Sequence, residues 1–421
     1  MGAPGAPVPG TGDAPEQRQV LRTLVSAQVL SGAGLAAGVT VGALLAREML
    51  GSEGLAGVPS ALFTIGSAGA ALIVGRISDQ RGRRNGLGFG YLSGAIGATT
   101  VVLAAWLDSV WLLLPALLVY GAGSATNLQA RYAGADLAAP DRRARAISTV
   151  LVATTLGAVL GPNTVTPMGN FAESLGLPDL AGPFILAATA YGLAGVVLLT
   201  RLRPDPLLLA RERALGPAGG GAESRDTAET GSEHPRNMLR AAASGAVVMV
   251  TAQVVMVAIM TMTPVHMEDH GLGLGATGLV IGVHIAGMYL PSPLTGHLVD
   301  RVGPTPVAVA SAVVLTFAGV LAATVPGDSI AGIAVALAVL GIGWNLGLLS
   351  GTAMVTAAVP LEHRARTQGS VDVFVALAGA TGGIGSGAVV AFTSYSALGL
   401  IGAAIAVGGL TSLALRQERV A

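Results

Sequence analysis

Residues 75–84 read GRISDQRGRR, and residues 296–305 read GHLVDRVGPT. Gly75, Asp79 and Gly82 of the first stretch recur as Gly296, Asp300 and Gly303 of the second, each 221 residues later. The same displacement carries DRRAR at 141–145 onto EHRAR at 362–366, and one of 225 carries VSAQV at 25–29 onto VTAQV at 250–254. A chain that repeats its landmarks at one long spacing is a duplicated unit.

The flanks of the charged stretch say what the unit is made of. Residues 54–74 and 85–107 contain no Asp, Glu, Lys or Arg, and about 20 apolar residues suffice for a helix to cross a hydrocarbon core of roughly 30 Å. The whole chain of 421 residues is 52% hydrophobic and 11% charged, with a mean hydropathy of +0.69. These values describe an integral membrane protein. Spans are predicted at 23–46, 54–75, 85–107, 110–135, 146–168, 180–200, 241–265, 272–296, 304–326, 330–357, 369–392 and 396–415. The last two come from one uncharged run, 373–415, too long for a single crossing and turned at TSYSALG (393–399). The expected fold is all-α, with 12 transmembrane helices in two pseudo-symmetric bundles of six. Six is even, so the copies share one orientation, as in repeats related by an axis along the membrane normal. The short alternating segments of a β-barrel are not seen.

Orientation follows from the basic residues, which are all arginine. Arg18 and Arg22 precede the first span; Arg76, Arg81, Arg83 and Arg84 follow the second; Arg142, Arg143 and Arg145 follow the fourth. The connection after the sixth span carries seven more, Arg301 follows the eighth, Arg364 and Arg366 follow the tenth, and Arg416 and Arg419 close the chain. Arg47 is the exception in an odd-numbered loop, and Arg131 lies within the fourth span. Cytoplasmic loops collect positive charge, so both termini are expected in the cytoplasm. Residues 1–19 read as a disordered tail without a secretory signal, 20–201 as the first bundle, 202–239 as a Gly-rich linker, 240–416 as the second bundle and 417–421 as a tail. Cysteine is absent, which removes disulfides, thiolate chemistry and cysteine metal sites.

The two-fold six-helix plan with GRISDQRGRR after the second span resembles the major facilitator superfamily, whose loop signature is roughly G-x-L-x-D-R-x-G-x-R-R. The resemblance covers essentially the whole chain. Gly75, Asp79, Gly82, Arg83 and Arg84 fit, with Gln80 in place of an arginine; the second copy keeps Gly296, Leu298, Asp300, Arg301 and Gly303 but ends in Pro304. HIAGMYLPSPLTG (284–296) resembles the eighth helix of bacterial facilitator-type permeases, with no substrate implied. The resemblance implies alternating access, with Asp79 docking on the start of the eleventh span and Asp300 on the start of the fifth as a latch. Read from the residues alone, these charges are equally topological anchors. Gly157, Gly161 and Pro162 match the G-x-x-x-G-P core of a motif associated with proton-coupled exporters, while Asn163, Thr164 and Val165 depart from it; packing by small residues explains the run as well. The arginine many proton-coupled members carry in the fourth helix has no counterpart, its approximate place being held by Ala116.

Ionisable and amide side chains inside spans are the candidate site, because each is costly in lipid. Arg131 and Asp136 lie near the cytoplasmic end of the fourth span, with Asn127 one turn above; Asp372 opens the eleventh. Arg131 reads as an anion contact, a partner for a titrating acid, or a snorkelling cation. Asp136 and Asp372 are the candidate proton carriers, with His266 and His284 as further titratable groups. Gln28 and Gln253 occupy duplicated positions on the first and seventh spans, which line the cavity in this superfamily. With Met256, Met260 and Asn345 they read as a wall for an amphipathic molecule, or as an interhelical seam.

No P-loop, Gly-x-Ser-x-Gly elbow or dinucleotide fingerprint occurs, so no enzyme is indicated, and no cofactor, metal or nucleic acid is expected. The expected function is secondary active transport of a small organic molecule, first as proton-coupled efflux. Uptake of a metabolite, metal export and a non-transport role on the same scaffold are the alternatives. The expected setting is the cytoplasmic membrane of a bacterium, as a multi-pass monomer whose partners are substrate, protons and lipid.

Overall fold

The computed structural model describes residues 15–41, 45, 48–49, 58–215 and 235–418. Its first half contains α1 Pro15–Thr40, α2 Val58–Arg81, α3 Arg83–Trp106, α4 Val110–Ala135, α5 Arg143–Asn163, α6 Val165–Ser174, α7 Gly182–Arg201 and the short α8 Pro206–Leu215. The second half contains α9 Pro235–Asp269, α10 Leu274–Tyr289, α11 Ser292–Val302, α12 Pro304–Thr324, α13 Ile330–Ala358, α14 Arg364–Phe392 and α15 Tyr395–Glu418.

Nine stretches among the described residues are long and apolar enough to cross a membrane. The three remaining positions of the twelve-span layout fall to α1, to α5 continued by α6, and to α15. Protein neighbours explain why α1 and α5 need less hydropathy. A Cβ added at Gly157 of α5 would lie 2.5 Å from the Ala33 nitrogen and 2.6 Å from the Gly32 Cα, so the two helices touch backbone to backbone. Lipid meets other faces instead, where Phe89, Ile96, Leu193, Phe317 and Phe374 stand exposed. Trp106 and Trp111 flank the α3–α4 turn, 61% and 87% exposed, as interfacial aromatics do.

Each half has its own core. In the first, Tyr91, Tyr120, Phe184 and Tyr191 are buried with ring centroids 5.5 to 5.8 Å apart. In the second, the core is aliphatic and methionine-rich, with Met249, Met256, Leu315, Leu337 and Trp344. Ile147 and Leu151 of α5 pack into that second core, so the fifth span leans across the boundary between bundles.

The structure corrects several boundaries. Residues 75–81 are not a loop, because α2 runs through them to Arg81 and breaks only at Gly82. Helical backbone satisfies its own hydrogen bonds, so a charged stretch leaving the membrane has no reason to uncoil until a residue forces it. Gly82 does so with φ 85° and ψ 165°, and its duplicate Gly303 does so between α11 and α12 with φ 87° and ψ 162°, a conformation that glycine adopts without strain. The eighth span is split at Leu290–Pro291 into α10 and α11. Helix α1 begins at Pro15, inside the expected tail, and α9 at Pro235, inside the expected linker. The linker also contains α8, whose Pro206, Leu207 and Ala210 are buried. Residues 1–14, 216–234 and 419–421, on which the expected tails and the rest of the linker fall, and Arg47 lie outside the described residues.

Candidate functional site

The arginine-rich end is where the two bundles are fastened, and glycines set the approach. A Cβ at Gly75 of α2 would stand 3.0 Å from both the Ala365 oxygen and the Gly369 Cα of α14. Its duplicate, Gly296 of α11, faces α5, where a Cβ would stand 2.5 Å from Ser148 Oγ and 2.7 Å from the Ala144 oxygen. The helix pairs α2/α14 and α5/α11 are thus related by the duplication, down to the residues that touch.

Polar contacts follow the same symmetry on one side and depart from it on the other. Asp300 accepts hydrogen bonds from the backbone N–H groups of Ala144 (2.9 Å) and Arg145 (3.0 Å), and from Arg145 Nε at 3.0 Å. These amides open α5, where free N–H groups and the helix dipole favour an anion. Asp79 is held otherwise. Its carboxylate accepts from Arg211 Nη2 at 2.8 Å, and Arg211 Nη1 donates to the Asp79 carbonyl at 2.6 Å. Arg211 lies on α8 and donates also to the carbonyls of Leu361 (2.9 Å) and Glu362 (2.8 Å), just before α14. Asp79 therefore reaches the start of the eleventh span through a linker arginine, not by docking on its amides. Helix α8 is pinned in turn by Asp205, which accepts from the N–H groups of Leu207, Leu208 and Arg84.

Deeper in, two layers of charge join α4 to α14. In the first, Arg83 is fully buried; its Nε donates to Asp136 Oδ2 at 2.8 Å, and Nη2 reaches Gln368. Arg364 Nη1 lies 3.9 Å from Asp136 Oδ1. In the second layer, about 7.5 Å further along α4 at a rise of about 1.5 Å per residue, Arg131 Nη2 donates to Asp372 Oδ1 at 2.7 Å and to Tyr132 Oη at 2.9 Å. Arg131 Nε donates to Thr352 of α13 at 3.0 Å, and its guanidinium also meets the Leu128 carbonyl and the Tyr132 ring. Tyr132 donates to Asp372 Oδ1 at 3.3 Å, whereas Asp372 Oδ2 is buried without a hydrogen-bond partner. Arg131 and Asp372, separate candidates in the sequence, thus form one ion pair across the two bundles. Asp136 belongs to a different cluster, with Arg83, and nothing in the sequence marked Arg83 as buried.

The amide candidates divide between the two readings, a cavity wall and an interhelical seam. Gln28 is fully buried inside the first bundle, donating to the Asn127 carbonyl (3.1 Å) and Thr154 (3.0 Å) and accepting from Tyr91. Asn127 donates to Ser31 at 2.8 Å in the same network. Asn345 is likewise spent on Met288 and Ser292, both at 2.7 Å, and Met256 packs in the second core. The three amides lie at interhelical contacts, where a polar group without water needs protein partners, and Asn345 Oδ1 is left buried without one. Gln253, the duplicate of Gln28, differs: it is half-buried and accepts from Trp344 Nε1 at 2.8 Å, with half-buried Met260 about two turns along the same helix. His266 stacks on Tyr395 at 4.2 Å, and His284 is buried with Nδ1 2.8 Å from the Leu337 carbonyl. The histidines do not meet one another across α9 and α10 as a ligand set, and among the described residues no cluster of His, Asp and Glu fits a metal. Gly161 and Pro162 continue the α5 backbone, and their side-chain surroundings lie outside the described residues. Arg84 is half-buried and Arg301 exposed.

Known proteins match this architecture along nearly the whole chain. The family profile described as Major Facilitator Superfamily matches residues 24–288 and 243–421. An uncharacterized MFS-type transporter of Bacillus subtilis, YdeG, is 55% identical over 398 residues, covering 94% of this chain and 90% of that protein. The riboflavin transporter RfnT of Brucella anthropi is 31% identical over 364 residues, covering 86% of each. The crystal structure of the human organic anion transporter MFSD10 superimposes with a TM-score of 0.75 at 16% identity, over 95% of this chain and all of that one, a likeness of fold. Duplicated bundles, glycine seams, an aspartate on a helix start and these matches agree: the chain belongs to the major facilitator superfamily.

Proposed function

We propose that the protein moves a small organic molecule across the cytoplasmic membrane by alternating access, driven by protons, with efflux as the working direction. The arginine-rich face is taken as cytoplasmic, and the sealed state as the one open to the outside. The observation that carries the proton reading is the Arg131–Asp372 pair. It joins α4 to α14 in a buried site, with one carboxylate oxygen unpartnered. A proton on that oxygen neutralises the acid, weakens a charge-assisted contact between bundles and so favours their separation. Removing one partner from a buried pair costs about 3–5 kcal/mol in soluble proteins, enough to move a two-state equilibrium. Half-buried Gln253, oriented by buried Trp344, and half-buried Met260 offer an adaptable surface with one hydrogen-bonding point on the outward side of that pair.

The relative named a riboflavin transporter favours a second reading, in which the cargo is a flat heterocyclic metabolite taken up rather than expelled. The experiment is flux into inverted vesicles and right-side-out proteoliposomes, with and without a pH gradient, across a panel of amphipathic compounds that includes riboflavin. Asp372→Asn is expected to abolish gradient-driven flux while substrate exchange persists. Driven flux that survives in the variant removes Asp372 as the proton carrier.

A further inference from the structure

On the arginine-rich face, the start of α1 and the end of α7 enclose a cavity of about 710 Å³ lined by Arg18, Arg22, Arg201 and Arg203. Its floor is fixed by Gln19 Nε2, which donates to the Arg203 carbonyl at 2.8 Å, and by Thr23, whose hydroxyl is 3.5 Å from the Arg201 carbonyl. Four exposed arginines therefore line one groove whose backbone is held in place. Among the described residues, neither nearby acid neutralises them. Glu16 is engaged by Arg213 of α8 at 3.3 Å, and Asp205 is filled by three backbone N–H groups. Among the described residues, none of the four forms an ion pair.

Repulsion among four like charges disfavours this grouping unless something anionic offsets it. Positive loops alone need arginines on this face, and do not need them in one groove. The surroundings indicate where the anion comes from. On α1, Arg18, Arg22 and Ser26 form one exposed row at helical spacing, and on α7 Leu193, Val196 and Thr200 form another that leads down to Arg203. The groove is thus continuous with an apolar, outward-facing strip of the spans. A phosphate held by the arginines would have acyl chains of its own molecule lying against Leu193 and Val196. Guanidinium groups bind phosphate through paired hydrogen bonds, and basic pockets between helix ends on the cytoplasmic side suit anionic headgroups.

We propose that this groove is a binding site for the phosphate headgroup of an anionic phospholipid from the adjacent leaflet, seated between α1 and α7 and independent of the substrate path. The leaflet assignment rests on the orientation proposed above; the headgroup chemistry does not.

Purified protein in a neutral detergent, titrated with phosphatidylglycerol, phosphatidylcholine or inorganic phosphate, tests it by native mass spectrometry and thermal unfolding. Phosphatidylglycerol adducts are expected to persist and to raise the melting temperature, and phosphatidylcholine adducts are not. Arg22→Gln/Arg203→Gln is expected to weaken phosphatidylglycerol binding at least about tenfold, at about 1 kcal/mol for each arginine removed. Arg240→Gln, an exposed arginine at the start of α9, is expected to leave it unchanged. Equal retention of the two lipids by the wild type overturns the proposal without any variant having to fold. Equal weakening by the double variant and by Arg240→Gln overturns it too, since the charge effect is then diffuse. Protection by inorganic phosphate at the concentrations where phosphatidylglycerol protects overturns the lipid source and assigns the groove to a soluble phosphate. None of these readouts depends on flux, so a failed transport reading leaves them interpretable.

Discussion

Asp79 and Asp300 stand 221 residues apart at the same place in the two repeats, yet they fasten the bundles by different means. Asp300 grips the first amides of α5 directly, while Asp79 works through Arg211, which spans to the carbonyls before α14. The helix crossings beneath them have stayed alike, Gly75 against Gly369 and Gly296 against Ala144 and Ser148. Backbone packing was thus kept through duplication while the polar fastening diverged. The difference is local: among the described residues α8 lies against the α2/α14 seam, where its guanidinium sits between a carboxylate and two carbonyls. One fastener is built from the spans themselves; the other needs the linker.

Three measurements would break or sharpen that contrast. The chain has no cysteine, so spin labels at Arg76 with Arg366, and at Thr149 with Arg301, report the two seams separately. The largest effect is expected from Gly296→Ala, whose Cβ meets the Ala144 carbonyl at 2.7 Å, so that the α5/α11 seam loosens by about 2 kcal/mol. Gly75→Ala, with its neighbours at 3.0 Å, is expected to lose less than half of that. Equal widening of both seams would make the crossings more alike than these distances allow. Next comes Asp300→Asn, expected to cost about 1.5 kcal/mol because charge-assisted bonds to two amides are lost, against about 1 kcal/mol for Asp79→Asn, whose pair with Arg211 is partly exposed. A reversed order in the label distances would show that the linker fastener is the stronger. The smallest effect is a coupling: Asp79→Asn and Arg211→Gln are expected to be non-additive by about 0.5–1 kcal/mol, while Asp300→Asn and Arg211→Gln add. Coupling in the second cycle would mean that the two seams open as one unit.

The sequence made the duplication, the apolar spans and the arginine asymmetry legible because each depends on composition or spacing alone. Gly82 and Gly303 were legible as paired positions, and the structure adds that they are the helix breaks. What escaped depends on neighbours distant in the chain. Gln28 and Gln253 have the same local sequence, but one lies among Tyr91, Thr154 and Asn127 and the other beside Trp344. No property of residues 25–29 distinguishes these surroundings. Arg83 read as one of several loop cations, and only its depth beside Asp136 and Gln368 sets it apart. Helix α8 did leave a signal that went unused: Asp205 before Pro206 is a helix start, with the aspartate accepting from the N–H groups of Leu207 and Leu208. The Gly-rich, polar composition of 202–239 reads as linker throughout and hides the ten helical residues of α8 within it.

Arg211 is joined to α7 by a connection of four residues, Leu202 to Asp205, before its own helix begins. A group tethered so closely never diffuses away when its contacts break. Its effective concentration at Asp79 and Glu362 stays in the millimolar range or above, whatever the abundance of the protein. The seam between α2 and α14 can therefore part and close many times without waiting for an encounter. The short connection governs how readily the arginine refastens that seam, while the hydrogen bonds govern how readily it lets go.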